Sequence, residues 1–425
     1  MEQINVHTHL FTSSNAPEQF LSLFLPKPVA KLVDKATNNR TGARLTSLLI
    51  SKFGEAGKRY ANFLSIGKSA FQREVFERLK LHYGNEEMRF VALSLYMEAM
   101  GAGNSISGYE GQLEDLLVVK RMYPDQLIAF LGVDPRWKSS GVELRDAVIK
   151  HFETTLEVKG KKYYPFAGIK LYPSTGFYIF DQKLFPLLEW AANHHVPVLC
   201  HCSYLGGIFN NDAQQIKAQL NSWLAYGYDM SYENYCLEQG LLPPEYASET
   251  DLRRWLVGKN ETSNNKLSCS YFLEPASYEP VLAYFQKQGT PLKLCLAHFG
   301  GVEQLLEATK QASTASLAQR PRGVKPLNWF NQITELMAKY PHLYTDVSYT
   351  LFDRQAHEAL CEVAKNPVYQ SRVLFGTDYY MTEQEQAEDD TFRNFRNHVR
   401  STDPALWEQM AVIGPHNFLK SKYYA

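Results

Sequence analysis

Several things are scarce or missing in this chain of 425 residues, and each absence removes a class of function. No apolar run is long enough to span a bilayer, so an integral membrane protein is not expected. Net charge is nearly absent: 44 Lys and Arg stand against 45 Asp and Glu, which gives no electrostatic reason to expect nucleic acid or an anionic membrane as partner. Cysteine is sparse. The six, Cys200, Cys202, Cys236, Cys269, Cys295 and Cys361, sit mostly in apolar segments, and Cys200 and Cys202 flank a histidine without a second pair, which argues against a structural zinc knuckle. Met1 leads straight into an apolar stretch with no basic-then-apolar leader, so reduced thiols in a cytoplasmic protein are expected. Low-complexity tracts and internal repeats are also lacking. What is present is a 45% hydrophobic composition, enough for a large core, and a near-neutral surface suited to a small neutral or anionic substrate. A homo-oligomer is left open.

Along the chain, short apolar strands alternate with helices. The strands read as Ile4–Leu10, Arg89–Tyr96, Leu127–Val133, Phe166–Leu171, Val196–Cys202, Leu292–His298, Leu343–Ser348 and Val373–Asp378. Helical spacing predicts helices over Ser69–Tyr83, Gln112–Tyr123, Pro186–His194, Trp329–Lys339, Arg354–Ala364, Asp389–Val399 and Asp403–Val412, with Ser69 capping the first and Gly84 ending it. Two segments interrupt the rhythm, 11–87 after strand one and 203–290 after strand five. Their apolar residues are too scattered for independent cores, so residues 1–425 are expected to form a single barrel domain with two helical insertions.

Eight buried strands with intervening helices fit either an open doubly wound sheet or a closed (β/α)8 barrel, and the polar residues decide. His7 and His9, two apart on strand one, project together and can share one divalent metal. Lys170, His201, His298 and Asp378 each lie at or near the C-terminal end of a different strand. Only a closed barrel brings strands one, five and eight to one mouth, so a distorted TIM barrel is expected.

These motifs, His7-Thr8-His9, Gly168-Ile-Lys170-Leu-Tyr-Pro173, Pro197-Val-Leu-Cys-His201, Ala297-His298-Phe-Gly-Gly301 and Phe375-Gly-Thr-Asp378, resemble those of the amidohydrolase superfamily. The closer likeness is to the amidohydrolase-related branch, which includes aromatic-acid decarboxylases and dicarboxylate lactonases. The resemblance implies that His7, His9, His201 and Asp378 hold a divalent ion, with Zn²⁺ the first expectation, and leave a position for water. It implies Asp378 as proton acceptor and His298 as acid/base or electrophile. A histidine packed under the Gly300-Gly301 turn is the plainer alternative for His298, a helix cap for Asp378, and a core histidine bonded to a carbonyl for His201. Lys170 either pairs with substrate or a carboxylate, or is carboxylated in a two-metal variant. Arg136, Arg354 and Tyr172 follow strand ends and are candidate substrate contacts, the arginines for a carboxylate. Asp346 reads as a network residue, since Asp378 already fills the carboxylate role. The expected activity is hydrolysis of a C–N or C–O bond in an amide or lactone; the alternative is non-oxidative decarboxylation at the same site.

Overall fold

A computed structural model describes residues 2–17, 54–101, 103–203, 221–232, 234–235, 272–313 and 328–424. Its barrel strands form where apolar residues are buried on both faces. In chain order they are β1 (Gln3–Thr8), β2 (Met88–Leu93), β3 (Leu127–Val133), β4 (Leu156–Val158), β5 (Lys161–Tyr163), β6 (Gly168–Leu171), β7 (Val198–Cys200), β8 (Leu294–Leu296), β9 (Leu343–Asp346) and β10 (Val373–Leu374). β4 and β5 make a separate antiparallel hairpin; the other eight form one parallel sheet in the order β1-β2-β3-β6-β7-β8-β9-β10. β3 shows why both faces must be apolar: Ile128 and Phe130 join the cluster inside the barrel, while Leu127, Ala129, Leu131 and Val133 join the layer between strands and helices.

The sheet closes on itself between β10 and β1. Val6 N–H donates to Phe375 O at 2.9 Å, Asp378 N–H donates to His7 O at 2.8 Å, and Thr8 pairs with Tyr379 in an isolated parallel bridge. The fold is therefore a distorted (β/α)8 barrel, as expected. Because this seam has few ladder bonds, a buried side-chain network supports it. Asn5 Nδ2 donates to Tyr83 Oη (2.9 Å) and Thr377 Oγ1 (2.8 Å), and Asn5 Oδ1 accepts from the backbone N–H of His7 (3.1 Å) and Thr377 (3.2 Å). Tyr83 and Thr377 in turn donate to Glu388 Oε1 at 2.6 and 2.7 Å.

The helices are α1 (Gly54–Gly67), α2 (Gln72–Tyr83), α3 (Gly108–Met122), α4 (Gly141–Glu153), α5 (Phe185–Asn193), α6 (Glu279–Lys287), α7 (Val302–Ser313), α8 (Trp329–Lys339), α9 (His357–Lys365), α10 (Glu388–Thr402), α11 (Pro404–Glu408) and α12 (Gly414–Leu419). α8 follows its sequence cues closely: Asn328 caps it by accepting from Asn331 N–H, and Ile333, Leu336 and Met337 make its buried face. α2 departs from expectation. Ser69 is buried and does not cap it; the helix starts at Gln72 after an extended Phe71, and Gly84 ends it at φ 59°. α4, capped by Ser140, and the β4–β5 hairpin were not expected from the sequence. Of the two insertions, 18–53 and most of 204–271 lie outside the described residues.

α12 plugs the N-terminal end of the barrel. Phe418 and Leu419 belong to the inner apolar cluster, the Phe418 ring lies 5.1 Å from that of Tyr344, and buried Lys293 holds the helix end by donating to Phe418 O and Lys420 O.

Candidate functional site

At the opposite end, the strand termini carry the polar residues. On β1, Ile4 and Val6 face the barrel interior, so a regular strand would send His7 outward with Asn5. The register against β2 shifts between Asn5 and Thr8, an irregularity of the kind that re-aims side chains. Gly376 makes room for the result, since a Cβ there would lie 2.8 Å from the His7 Cβ. His298, Phe299, Tyr349 and Asp378, all just beyond β8, β9 or β10, have positive φ between 50° and 66°. Such conformations cost on the order of 1 kcal/mol or more each for residues other than glycine, and persist where the surroundings enforce them.

The site brings His7, His9, Asp378 and His298 together. His7 Nε2 is 3.5 Å and His9 Nε2 3.3 Å from Asp378 Oδ1, and one ligand-type atom each from His7, His298 and Asp378 lies within 4.8 Å of the others. His201 joins through His298: its Nδ1 is 2.9 Å from His298 Nε2, and the ring centroids are 4.7 Å apart. Tyr172 packs edge-on against His201, centroids 4.7 Å apart.

The partners behind each ring settle where its hydrogen sits, because carbonyl and carboxylate oxygens only accept. His7 Nδ1 lies 3.0 Å from Asp346 Oδ2, His9 Nδ1 3.1 Å from Leu93 O, and His298 Nδ1 3.0 Å from Ser348 O. Each Nδ1 therefore carries the hydrogen, and each Nε2 keeps a lone pair. His298 Nε2 uses its lone pair to accept from His201 Nδ1–H, which leaves the lone pair of His201 on Nε2. For this reason His298 is a weaker candidate ligand than its position alone suggests. His7 Nε2, His201 Nε2 and Asp378 Oδ1 are buried with no hydrogen-bond partner. His7 Nε2 and Asp378 Oδ1 face one another at 3.5 Å, which is unfavourable in the interior unless a cation or proton lies between them, and imidazole nitrogens with a carboxylate are a donor set suited to a divalent metal; His201 stands outside the group of His7, His298 and Asp378 and reaches it through His298.

Burial disfavours a charge on the rings of His7, His201 and His298. Burial, reinforced by the Lys170 charge, holds His7 well below the usual histidine range; burial and then His298 do the same for His201; burial lowers His298. Burial pushes Asp378 up, yet His7, His9 and His298 outweigh it and carry the carboxyl below its ordinary value. Lys170 is buried, which lowers it, while Asp378 and Asp346 work in the opposite direction.

Two candidate contacts make no hydrogen bond to this group. Arg136 is engaged by its own neighbourhood: Nε and Nη2 donate to the two oxygens of Asp134 at 2.7 and 2.6 Å, and Nη1 and Nη2 to Thr175 O and Oγ1 at 3.1 and 2.9 Å. Arg354 is exposed in the turn that precedes α9. Sequence pattern does not single out Ser348, whose hydroxyl lies 3.0 Å from both His7 Nδ1 and His298 Nδ1 and donates to Asp346 Oδ1. Asp346 is the network residue expected, at the end of β9; it also accepts from His298 N–H (3.1 Å) and Ser348 N–H (3.0 Å).

Among the described residues no helix is long and apolar enough to cross a membrane, and Cys200, Cys202, Cys295 and Cys361 are buried and free. A family model described as amidohydrolase matches residues 97–405, a span that includes Lys170, His201, His298 and Asp378 but not the β1 histidines. No curated protein sequence matches the chain. Similar solved structures include 5-carboxyvanillate decarboxylase from Novosphingobium aromaticivorans, complexed with manganese and 4-hydroxy-3-methoxy-5-nitrobenzoic acid: 11% identity, 98% of this chain and 96% of that one covered, TM-score 0.49. A probable 2-pyrone-4,6-dicarboxylic acid hydrolase from Acinetobacter baumannii with citric acid bound has 11% identity, covers 99% of both chains and has a TM-score of 0.46. 4-Oxalomesaconate hydratase from Rhodopseudomonas palustris has 12% identity, coverage of 98% and 95%, and a TM-score of 0.44.

Proposed function

We propose, from the premise that this chain belongs to the amidohydrolase family, that it is a metal-dependent hydrolase cleaving the C–N or C–O bond of a small amide or lactone. The observation that carries this reading is the set of buried acceptor atoms, His7 Nε2, His201 Nε2 and Asp378 Oδ1, that have no hydrogen-bond partner. With His9 Nε2 beside them, they are the residues that would hold the ion, and three imidazoles with one carboxylate favour Zn²⁺ among divalent metals. When bound, the ion supplies Lewis-acid polarisation of an oxygen on water or substrate.

The remaining steps belong to the chain's own side chains. Asp378, whose carboxyl lies below its ordinary range, takes the proton released as water attacks. His298, its Nδ1–H held by Ser348, serves as acid/base through Nε2, which first has to release the His201 N–H that it accepts. Lys170, buried within the electrostatic reach of Asp378 and Asp346, is uncarboxylated in this reading and pairs with substrate or a carboxylate. Tyr172, packed edge-on against His201, and the exposed Arg354 contact substrate, Arg354 gripping a carboxylate where one is present. Arg136 contributes through the loop it holds with Asp134 and Thr175, and offers substrate the donor its neighbours leave over. One catalytic domain, 1–425, with helical insertions at 11–87 and 203–290, and a cytoplasmic setting for the four free cysteines among the described residues complete the proposal.

The test is metal analysis of purified protein together with a screen of lactones, amides and aromatic acids, repeated for His7→Ala. Stoichiometric metal and hydrolysis in the native protein, with both lost in the variant, are expected. Unchanged metal and turnover in His7→Ala would remove the ligand assignment, and CO₂ release without incorporation of water would replace hydrolase by decarboxylase.

A further inference from the structure

Behind the rings lies a second arrangement, whose role depends on the site being a metal centre. We propose that Asp346 and Ser348 are positioning residues, a shared lock that fixes His7 and His298 together as Nδ1–H tautomers. In that state the Nε2 lone pair of His7 is turned toward Asp378, where it could serve a metal ion, and that of His298 toward His201.

Both residues are fully buried and sit two apart where β9 ends. In the sheet order β9 is separated from β1 by β10, so the lock reaches His7 across the mouth rather than from a paired neighbour. The donor count around the pair admits one arrangement. Asp346 accepts from His7 Nδ1–H, His298 N–H, Ser348 N–H and the Ser348 hydroxyl, so its two oxygens meet only donors. The Ser348 hydroxyl has one hydrogen, which goes to Asp346. Its two remaining lone pairs lie 3.0 Å from His7 Nδ1 and 3.0 Å from His298 Nδ1. Moving the hydrogen to Nε2 on either ring would set a nitrogen lone pair against an oxygen lone pair in a site closed to water, which buried polar groups do not tolerate cheaply.

Two functions are thereby tied to one pair of side chains. His7 belongs to the ligand set and His298 to the acid/base side, yet both take their ring orientation from the end of β9. Outer partners of metal-binding histidines act in this way, fixing the tautomer and the ring plane.

The experiment reads ring tautomers directly. Histidine-labelled full-length protein is examined by long-range proton–nitrogen correlation before and after chelation, and Zn²⁺ affinity is measured by competition with a chromophoric chelator. The native protein, Asp346→Asn, Ser348→Ala and His7→Ala are compared. In the chelated native protein His7 and His298 are expected to show the Nδ1–H pattern. Asp346→Asn, which places an amide donor among donors, is expected to mix or reverse the His7 tautomer and weaken Zn²⁺ binding by ~10–100-fold. Ser348→Ala leaves Asp346 to His7 and the Ser348 carbonyl to His298, and its loss of affinity is expected to be the smaller. Unchanged tautomers and unchanged affinity in Asp346→Asn overturn the lock. If that variant does not fold, Ser348→Ala decides by the same two readouts. A His7→Ala protein that retains native affinity overturns the metal reading itself, while the tautomers of the chelated native protein still decide whether the lock exists.

Discussion

At the floor of the barrel Phe418 and Leu419 fill the interior and Lys293 finds two backbone carbonyls, whereas at the mouth His7 Nε2, His201 Nε2 and Asp378 Oδ1 are buried with no hydrogen-bond partner. Between them the seam network of Asn5, Tyr83, Thr377 and Glu388 is almost fully paired. An unpaired polar atom in the interior costs free energy, and the two ends differ in kind: apolar packing dominates the floor, while acceptors from several strands collect at the mouth.

The division is broken or sharpened by three substitutions. Phe418→Ala at the floor is expected to destabilise by ~3–5 kcal/mol, the usual cost of truncating a buried phenylalanine, with no change in metal affinity of the folded fraction. Urea unfolding alongside the chelator competition measures both, and a loss of affinity without loss of stability would erase the distinction between the two ends.

The seam comes next, and it has a pH signature. Burial, with Glu383 adding to it, pushes the Glu388 carboxyl up to about 8, against the hydrogen bonds from Tyr83 and Thr377. The folded chain therefore holds this proton more tightly than the unfolded chain does. The stability it contributes is fully present below the ordinary carboxyl range near 4.5 and is lost as pH rises through about 8. The slope is at most ~1.4 kcal/mol per pH unit. Glu388→Gln keeps an acceptor for Tyr83 and Thr377 and cannot ionise, so unfolding midpoints at pH 6, 7 and 8 should fall less in the variant than in the native protein. Parallel slopes would mean that Glu388 is not the titrating group.

Smallest in stability is the mouth. Asp378→Asn is expected to change the unfolding free energy of the metal-free protein by less than about 1 kcal/mol, the range of substitutions that disturb no packing, while lowering Zn²⁺ affinity by at least ~100-fold. A variant that is strongly destabilised yet still binds would make Asp378 a structural residue.

How much of the molecule is legible in its sequence depends on how far each feature reaches through space. β3 can be bounded from sequence because alternate residues on both faces are apolar, and α8 because its cap and its apolar stripe coincide. The β4–β5 hairpin cannot, since three-residue strands such as Lys161–Tyr163 carry exposed charge and no alternation. His7, His9, His201, His298 and Asp378 can be placed at strand ends by local pattern alone. Their mutual arrangement is another matter. Strand alternation by itself would turn His7 toward the helices, and the shift in register that redirects it has no local signature in Asn5-Val6-His7-Thr8. Ser348 escapes notice because its meaning lies in two rings contributed by β1 and by the turn after β8, and a lone serine beyond a strand announces neither.

The closure between β10 and β1 carries a consequence for biosynthesis. His7 is made on the first strand of the barrel, and Asp378, whose backbone N–H bonds to its carbonyl, follows only after the other seven barrel strands have been made. An unfinished nascent chain therefore presents its two histidines without the carboxylate that faces them, and the complete constellation comes into being only when the ring is joined.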